Sequence, residues 1–196
     1  MIETYKTITD NLSEGFYSEK RSRFLAFACH VTTVDQVKEI IAQYRKKYYD
    51  ARHVCYAYML GAERDVFRAN DDGEPSSTAG KPILGQINSN ELTDILIIVV
   101  RYYGGVNLGT GGLIVAYRSA AADAIANATI VEKRVEQQLT ITFNYIAMND
   151  VMRVIKETGA TIVSQQFDNT CQITLSVGIA VVPVIQQKLT GIATIL

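Results

Sequence analysis

The stretch that decides the fold is Asp94–Tyr103, DILIIVVRYY, which runs directly into Gly104–Gly112, GGVNLGTGG. Its unbroken apolar run, Ile95–Val100, predicts a buried strand, the strongest of the chain. Five of the nine residues that follow are glycine, and the alanine-rich Leu113–Ala128 predicts a helix that packs closely on the sheet. A buried strand, then glycines, then a helix can expose backbone N–H groups to an anion. The same glycines could instead serve a tight chain crossing.

Further elements are predicted upstream of that strand. Arg23–Val31 and His53–Leu60 indicate strands, and Val34–Tyr48 indicates a helix because its apolar residues recur at helical spacing. Gly61–Lys81 is a long polar stretch without periodicity, which in a compact domain is usually functional or disordered. A short helix over Ile83–Ile87 is predicted after it, because a proline suits the first helical turn.

A second domain is predicted from the change of pattern near Val135. Gln138–Leu196 shows the order β-α-β-β-α-β over about 60 residues, which is typical of a ferredoxin-like split βαβ unit, with a hairpin turn at Asp168-Asn169. We therefore predict an α+β fold with two domains, 1–134 and 135–196. The second domain is nearly free of charge clusters, which favours a role in recognition or support.

Composition argues against a disordered or membrane protein and weakens a nucleic-acid-binding interpretation, which local sorting of the charges keeps open. Hydrophobic residues make up 48% and charged residues 20%, as in globular proteins, and the formal net charge of -1 lacks the basic excess of a strong polyanion binder. No apolar run approaches the ~18 residues of a membrane-spanning helix. The N-terminal residues show no secretory signal pattern, so we expect a cytoplasmic protein. The three cysteines are widely spaced, as reduced thiols usually are.

The segment Asp71–Lys81, called the acidic loop below, is dense in charged and hydroxyl groups. Its carboxylates could gather Mg²⁺, and its hydroxyls beside Lys81 could meet a phosphate. It is not a Walker A loop, because Pro75 and Pro82 replace the glycine and the Ser/Thr that this motif needs. No dedicated metal site is expected elsewhere. His53 is a candidate general base or a packed core histidine.

Basic residues form two groups in an otherwise balanced sequence. Such runs often belong to solvated faces, but phosphate contacts of a nucleic acid require them. The candidate nucleic-acid-binding residues are Lys20, Arg21, Arg23, Arg45, Lys46 and Lys47. We also expect the acidic loop and the glycine loop, Gly104–Gly112, to meet in space, because both leave strands of one sheet by the same edge.

The chain resembles the family of the bacterial YigZ and eukaryotic IMPACT proteins. The resemblance rests on Lys20–Phe24, Asp50–Tyr58, Asp71–Leu84 and Val99–Tyr117. It implies a first domain with the fold of a small-subunit ribosomal protein's second domain and of elongation factor G domain IV. It implies a second domain like the ferredoxin-like domain of the same factor. The eukaryotic relatives regulate translation by binding the activator of an initiation-factor kinase.

The candidate ligand-binding residues stand mainly on the family's motif positions. They are Arg52, His53, Asp71, Asp72, Glu74, Thr78, Lys81, Arg101, Tyr102, Gly104, Gly105, Gly109, Gly111 and Gly112, and Thr110 joins them as a candidate helix cap. The leading hypothesis is a non-enzymatic binding protein in translation, with RNA, the ribosome or a translation-associated protein as partner and without a cofactor. The alternative is an enzyme that acts on a phosphorylated small molecule or nucleotide, with Mg²⁺ at the acidic loop and phosphate at the glycine loop.

Overall fold

The computed structural model describes residues 2–168 and 170–196. In this part of the chain the strands are β1 (Thr4–Ile8), β2 (Ser13–Glu19), β3 (Ser22–His30), β4 (His53–Leu60), β5 (Val66–Asn70), β6 (Ile95–Tyr102), β7 (Ile130–Arg134), β8 (Glu136–Phe143), β9 (Thr161–Phe167), β10 (Cys171–Gly178) and β11 (Thr194–Ile195). The helices are α1 (Val34–Lys47), α2 (Gly80–Ser89), α3 (Gly109–Ala126), α4 (Met148–Thr158) and α5 (Val182–Leu189). The chain divides into two compact units, Tyr5–Lys133 and, together with the N-terminal residues up to Thr4, Arg134–Leu196.

The first unit is built on a five-stranded antiparallel sheet in the order β2-β3-β6-β4-β5. The central strand, β6, buries Ile95, Ile97 and Val99 against α2 and α3, and its alternate residues pack toward α1. The prediction of a buried strand here is therefore confirmed. Helix α1 begins at a capping box, in which Thr33 and Gln36 each satisfy a free backbone N–H group.

Helix α3 begins at Gly109, four residues before the predicted start at Leu113, and ends at Ala126. Its alanines allow the close approach to the sheet that the sequence indicated: a Cβ added to Gly15 on β2 would lie 2.2 Å from the backbone nitrogen of Ala124. The predicted start was wrong because glycines are poor helix formers, and here the burial of the rest of the helix outweighs that local preference.

The structure contains strands that the sequence pattern did not indicate. Strand β5 lies inside the stretch Gly61–Lys81, and β1, β2 and β7 were also missed. Strand β5 is an edge strand with Val66 and Phe67 exposed, so it lacks the alternation of a half-buried strand. Edge strands of this kind are held by backbone pairing, here with β4.

The second unit has the order β8-α4-β9-β10-α5-β11 and a four-stranded sheet in the order β11-β8-β10-β9. This confirms the predicted β-α-β-β-α-β order. The inward residues of β8, including Leu139 and Ile141, pack with Val151, Val154 and Ile185 of the two helices. The likenesses of both units to ribosomal-protein and elongation-factor domains stay predictions. Part of the predicted turn at 168–169 lies outside the described residues.

Candidate functional site

The two candidate loops meet at one edge of the five-stranded sheet. His53 at the start of β4 lies opposite Arg101 near the end of β6, and the acidic loop follows β5 at the same edge. The loops line a cleft of about 620 Å³. The expectation that they come together is therefore confirmed. The residues that line the cleft are Arg52, His53, Glu74, Pro75, Arg101, Tyr103, Asn107, Leu108, Gly109, Thr110 and Leu113.

A buried ion pair forms the floor of the cleft. Arg101 Nη1 donates to Glu74 Oε1 at 2.6 Å, and the two side chains are 7% and 3% exposed. Tyr117 on α3 donates its hydroxyl proton to the same oxygen at 2.7 Å. A charge buried in this way is tolerated only when it is paired and hydrogen-bonded. The three groups therefore fix the acidic loop to both the sheet and α3.

His53 contacts two residues of the acidic loop, Asp72 and Glu74. Its Nδ1 lies 2.8 Å from the backbone carbonyl oxygen of Asp72, which can only accept a hydrogen bond, so Nδ1 carries the proton. Its Nε2 lies 3.7 Å from Glu74 Oε2. The second nitrogen therefore lies next to a carboxylate. This geometry fits either a general base or a positioning residue of the cleft wall.

Asp71 organises the acidic loop through backbone contacts. Its Oδ1 accepts the N–H groups of Ala79 at 3.0 Å and Gly80 at 2.8 Å, and its Oδ2 accepts that of Ser77 at 2.8 Å. The carboxylate thereby satisfies free donors at the start of α2, which carries no cap from its own N-cap residue. Asp71 thus serves the loop's own conformation.

Asp72 is likewise engaged by protein groups. Its two oxygens accept hydrogen bonds from Arg45 Nη2 at 2.6 Å and from the backbone N–H of Val54 at 2.7 Å. Each of the three carboxylates of the acidic loop therefore has partners of its own. Within residues 2–168 and 170–196, no group of three or more His, Cys, Asp or Glu side chains is arranged to hold a metal ion.

Burial keeps two protonated groups beneath the cleft. It raises the pKa of the Tyr117 hydroxyl far above its usual value, and the neighbouring Cys55 and Glu74 raise it further. Burial also raises the pKa of the Cys55 thiol, although its hydrogen bond with Tyr117 opposes this effect. Cys55 Sγ lies 3.0 Å from the Asp71 carbonyl oxygen. Both groups therefore act as hydrogen-bond donors, and neither supplies an anionic nucleophile.

The glycines of the glycine loop serve different purposes. A Cβ on Gly104 would lie 2.2 Å from the backbone carbon of Arg21, so this glycine is required by a close chain crossing. A Cβ on Gly112 would press on Leu108 at 3.0 Å. Gly111, in the first turn of α3, has open space around it and no unusual φ. Packing thus explains Gly104 and leaves Gly111 unexplained.

The sequence-predicted basic residues lie around this same edge of the sheet. The Arg23 guanidinium is 5.1 Å from the ring centroid of Tyr102, whose hydroxyl donates to Asp50 at 2.9 Å. The backbone N–H of Arg52 donates to the Arg101 carbonyl oxygen. The other members of the group are exposed in the β2–β3 turn and the last turn of α1: Lys20, Arg21, Arg45, Lys46 and Lys47.

Some predicted site residues lie outside the cleft. Thr78 is 3% exposed and donates its hydroxyl proton to the Pro75 carbonyl oxygen, so it is part of the loop's internal structure. Lys81 lines a separate groove with Arg118, between α2 and α3. Thr110 lies inside α3 and does not occupy its cap position, so the predicted capping role was wrong.

Sequence reasoning missed several residues of the site. Tyr117 lies on the buried face of α3, and its position in the sequence does not distinguish it from an ordinary aromatic residue of the core. Tyr103, Asn107 and Leu108 line the cleft but carry no signal beyond their place next to the glycines. Their position between a strand end and a helix start was the only clue available.

The fold and site define a two-domain α+β protein whose first domain carries a cleft with a basic rim. Residues 20–125 match the Impact N-terminal domain. The IMPACT family member YvyE of Bacillus subtilis (strain 168) is 32% identical over 157 residues, which are 80% of this chain and 72% of YvyE. The IMPACT family member YigZ of Escherichia coli (strain K12) is 34% identical over 150 residues, 76% of this chain and 74% of YigZ. The chain belongs to the IMPACT family.

A solved structure extends the comparison to the whole chain. A crystal structure of a hypothetical protein matches this structure with a TM-score of 0.78 at 28% sequence identity, and the match covers 100% of this chain and 98% of the other. The two-unit architecture is therefore shared over the full length. In the part of the chain that the structure describes, no helix is long and apolar enough to cross a membrane.

Proposed function

We propose that this protein is a non-enzymatic binding protein of the translation apparatus, acting in the cytoplasm, with RNA or the ribosome as its partner. The observation that carries the proposal is the collection of basic side chains at one edge of the first unit, around the cleft. The net charge of the whole chain is only -1, so this sorting is local. Membership of the IMPACT family supports a regulatory role in translation, as the resemblance to its eukaryotic members implies.

The charges at this edge favour a polyanionic partner because two of the acidic groups there are already paired with arginines. Asp72 is paired with Arg45, and Glu74 with Arg101. The remaining cations, on the β2–β3 turn and the last turn of α1, face solvent. Contacts of such side chains with phosphates release counterions, so the association must weaken steeply as salt is raised.

The test is co-sedimentation of the tagged protein with ribosomes from lysate at low and high salt. The variant is Lys20→Glu/Lys46→Glu/Lys47→Glu, which changes exposed side chains and leaves the cleft intact. Its matched control is Arg153→Glu/Lys156→Glu/Lys188→Glu, with the same charge change on exposed positions of α4 and α5. We expect salt-sensitive co-sedimentation that the first variant loses and the control keeps. Absence from every ribosomal fraction at low salt would overturn the proposal.

A further inference from the structure

We infer that the cleft holds one nucleotide unit, with its phosphate at the N-terminus of α3 and its base against Tyr103. The inference rests on the proposed function, since it names the chemical group that the basic edge would recognise. It covers two sources of the same chemistry, a nucleotide within RNA and a free nucleotide. It concerns the cleft itself, whereas the proposed function concerns the basic rim.

The phosphate position follows from the N-terminus of α3. Helix α3 spans 18 residues, and its N-cap residue, Leu108, makes no side-chain cap. The first N–H groups of such a helix have no acceptor within it, and together with the helix dipole they favour an anion. Leu108, Gly109 and Thr110 line the cleft, so the start of α3 borders it.

A second observation, independent of the helix, points to the same ligand. Arg101 is only 5% exposed and lines the cleft, yet its Nε has no hydrogen-bond partner among residues 2–168 and 170–196. A buried donor without a partner is costly and rare in folded proteins. A phosphate oxygen held between Arg101 and the start of α3 would supply the missing acceptor. Arg52 on the cleft wall adds a second positive charge.

The rest of the cleft suits a flat, partly apolar group. Tyr103 is 48% exposed, its hydroxyl donates to Asn107 Oδ1 at 3.2 Å, and the Arg101 guanidinium lies 5.6 Å from its ring centroid. Pro75 and Leu108 add apolar wall. A tyrosine held in this way offers a ring on which a base can stack. The volume of about 620 Å³ exceeds what a phosphate alone would fill and lies in the usual range for small-molecule sites.

The test is isothermal titration calorimetry of the full chain. The ligands are inorganic phosphate, uridine and adenosine 5′-monophosphates, and a short single-stranded oligoribonucleotide. We expect saturable binding of the nucleotides, weakened roughly tenfold by Tyr103→Ala because a stacking partner is lost. The matched control is Tyr49→Ala, which removes a tyrosine that is 84% exposed and lies outside the cleft. It should leave binding unchanged.

A further variant tests the phosphate position. Thr110→Pro removes one N–H at the helix start, where proline is tolerated, and should weaken binding of inorganic phosphate and nucleotide alike by roughly tenfold. Tyr103→Ala should leave inorganic phosphate binding unchanged. Thermal melts of each variant separate loss of binding from loss of folding.

The outcomes distinguish the two sources and the two proposals. Tighter binding of the oligoribonucleotide than of the monophosphates makes RNA the source, and the reverse makes it a free nucleotide; both support the site. If neither monophosphates nor oligoribonucleotide show saturable binding, the inference fails, even where charge-dependent ribosome co-sedimentation persists. Nucleotide binding by a chain that never co-sediments with ribosomes would overturn the proposed function and retain the site.

Discussion

Arg101 Nη1 lies 2.6 Å from Glu74 Oε1, and both residues are almost completely buried although one belongs to β6 and the other to the acidic loop. The pair therefore connects the loop to the sheet across 27 residues of sequence. Water is excluded from this contact, and the pair, with the tyrosine that shares Glu74 Oε1, anchors the loop in addition to the hydrogen bonds of Asp72 with Arg45 and Val54.

Removing one partner of this pair should destabilise the protein strongly. Glu74→Ala leaves the Arg101 charge buried without a counterion, which typically costs about 3–5 kcal/mol. Urea denaturation would measure the loss. The control is Glu39→Ala, an exposed carboxylate on α1, which should change stability by less than about 0.5 kcal/mol. A loss under about 1 kcal/mol for Glu74→Ala would show that the pair is solvated in solution.

Tyr117→Phe should remove one hydrogen bond to a charged acceptor without changing the shape of the core. Such bonds contribute about 1.5–3 kcal/mol, and Cys55 would also lose a neighbour, since its Sγ lies 3.3 Å from the hydroxyl oxygen. Denaturation of the single variants and of Glu74→Gln/Tyr117→Phe would give the coupling energy. If the stability losses of the two single variants simply add up in the double variant, Glu74 and Tyr117 do not share a hydrogen-bond network. Tyr49→Phe is the exposed control.

The sequence predicted the elements of the first unit correctly where buried residues recur at regular spacing. Strand β4 was predicted at its observed bounds, and β6 within one residue at each end, because apolar runs and helical spacing report burial directly. Strand β5 was missed because it is an exposed edge strand, whose pairing with β4 leaves no pattern in its own side chains. The early start of α3 was missed because the glycines at its N-terminus predict a loop when only the sequence is considered. The packing of the rest of the helix is not visible in the sequence.

The location of the site could be predicted from the sequence, whereas most of its side-chain contacts could not. The two loops were expected to meet because they leave one edge of the sheet, and they do. Lys81 was expected there too, but α2 begins at Gly80 and places Lys81 in the groove next to Arg118. Tyr117 could not be predicted as a partner of Glu74, since only the folded chain brings residues 43 positions apart together.

Alanine substitutions at two glycines of the glycine loop should change the stability of the protein in opposite directions. In Gly104→Ala the new Cβ would lie 2.2 Å from the backbone of Arg21, so the chain crossing must open and stability falls by several kcal/mol, of the order seen for severe overpacking. In Gly111→Ala the Cβ meets open space within a helix, which should stabilise the fold by about 0.5–1 kcal/mol. Thermal and urea melts of the two variants, side by side, check both signs.

Stability should fall at alkaline pH through Cys29. Burial raises the pKa of this thiol from 9.0 to about 11, and its hydrogen bond with Tyr44 opposes the shift. The folded state therefore disfavours the thiolate, so the contribution is fully present below about pH 9 and is lost as pH rises to about 11. A shift of this size corresponds to about 2–3 kcal/mol.

The measurement for Cys29 is urea denaturation of the native sequence and of Cys29→Ala at several pH values. Other buried groups, Tyr44 among them, also carry a raised pKa, so the difference between the two proteins is the relevant quantity. We expect this difference to change by about 2 kcal/mol between about pH 8 and 11. A difference that stays constant with pH would contradict the raised pKa.

Asp71 should control the order of the whole acidic loop. Its carboxylate accepts three backbone N–H groups, from Ser77, Ala79 and Gly80, so Asp71→Ala leaves three donors at the start of α2 without acceptors. We expect a loss of about 2–3 kcal/mol, because each half-buried donor left unpaired carries a desolvation penalty. Asp71→Asn keeps one acceptor oxygen and should lose about half as much.

Hydrogen exchange locates the effect of Asp71→Ala. Amides of Ser77, Ala79 and Gly80 should exchange faster, while the central strand β6 keeps its protection, because only the loop is released from the sheet. Asp65→Ala, on the exposed β4–β5 turn, is the matched control and should leave these amides unchanged. Since Glu74 belongs to the same loop, a disordered loop would also carry the Arg101 partner out of the cleft. Equal protection of the three amides in Asp71→Ala and the native sequence would mean that the Arg101–Glu74 pair and the Asp72 contacts hold the loop without Asp71.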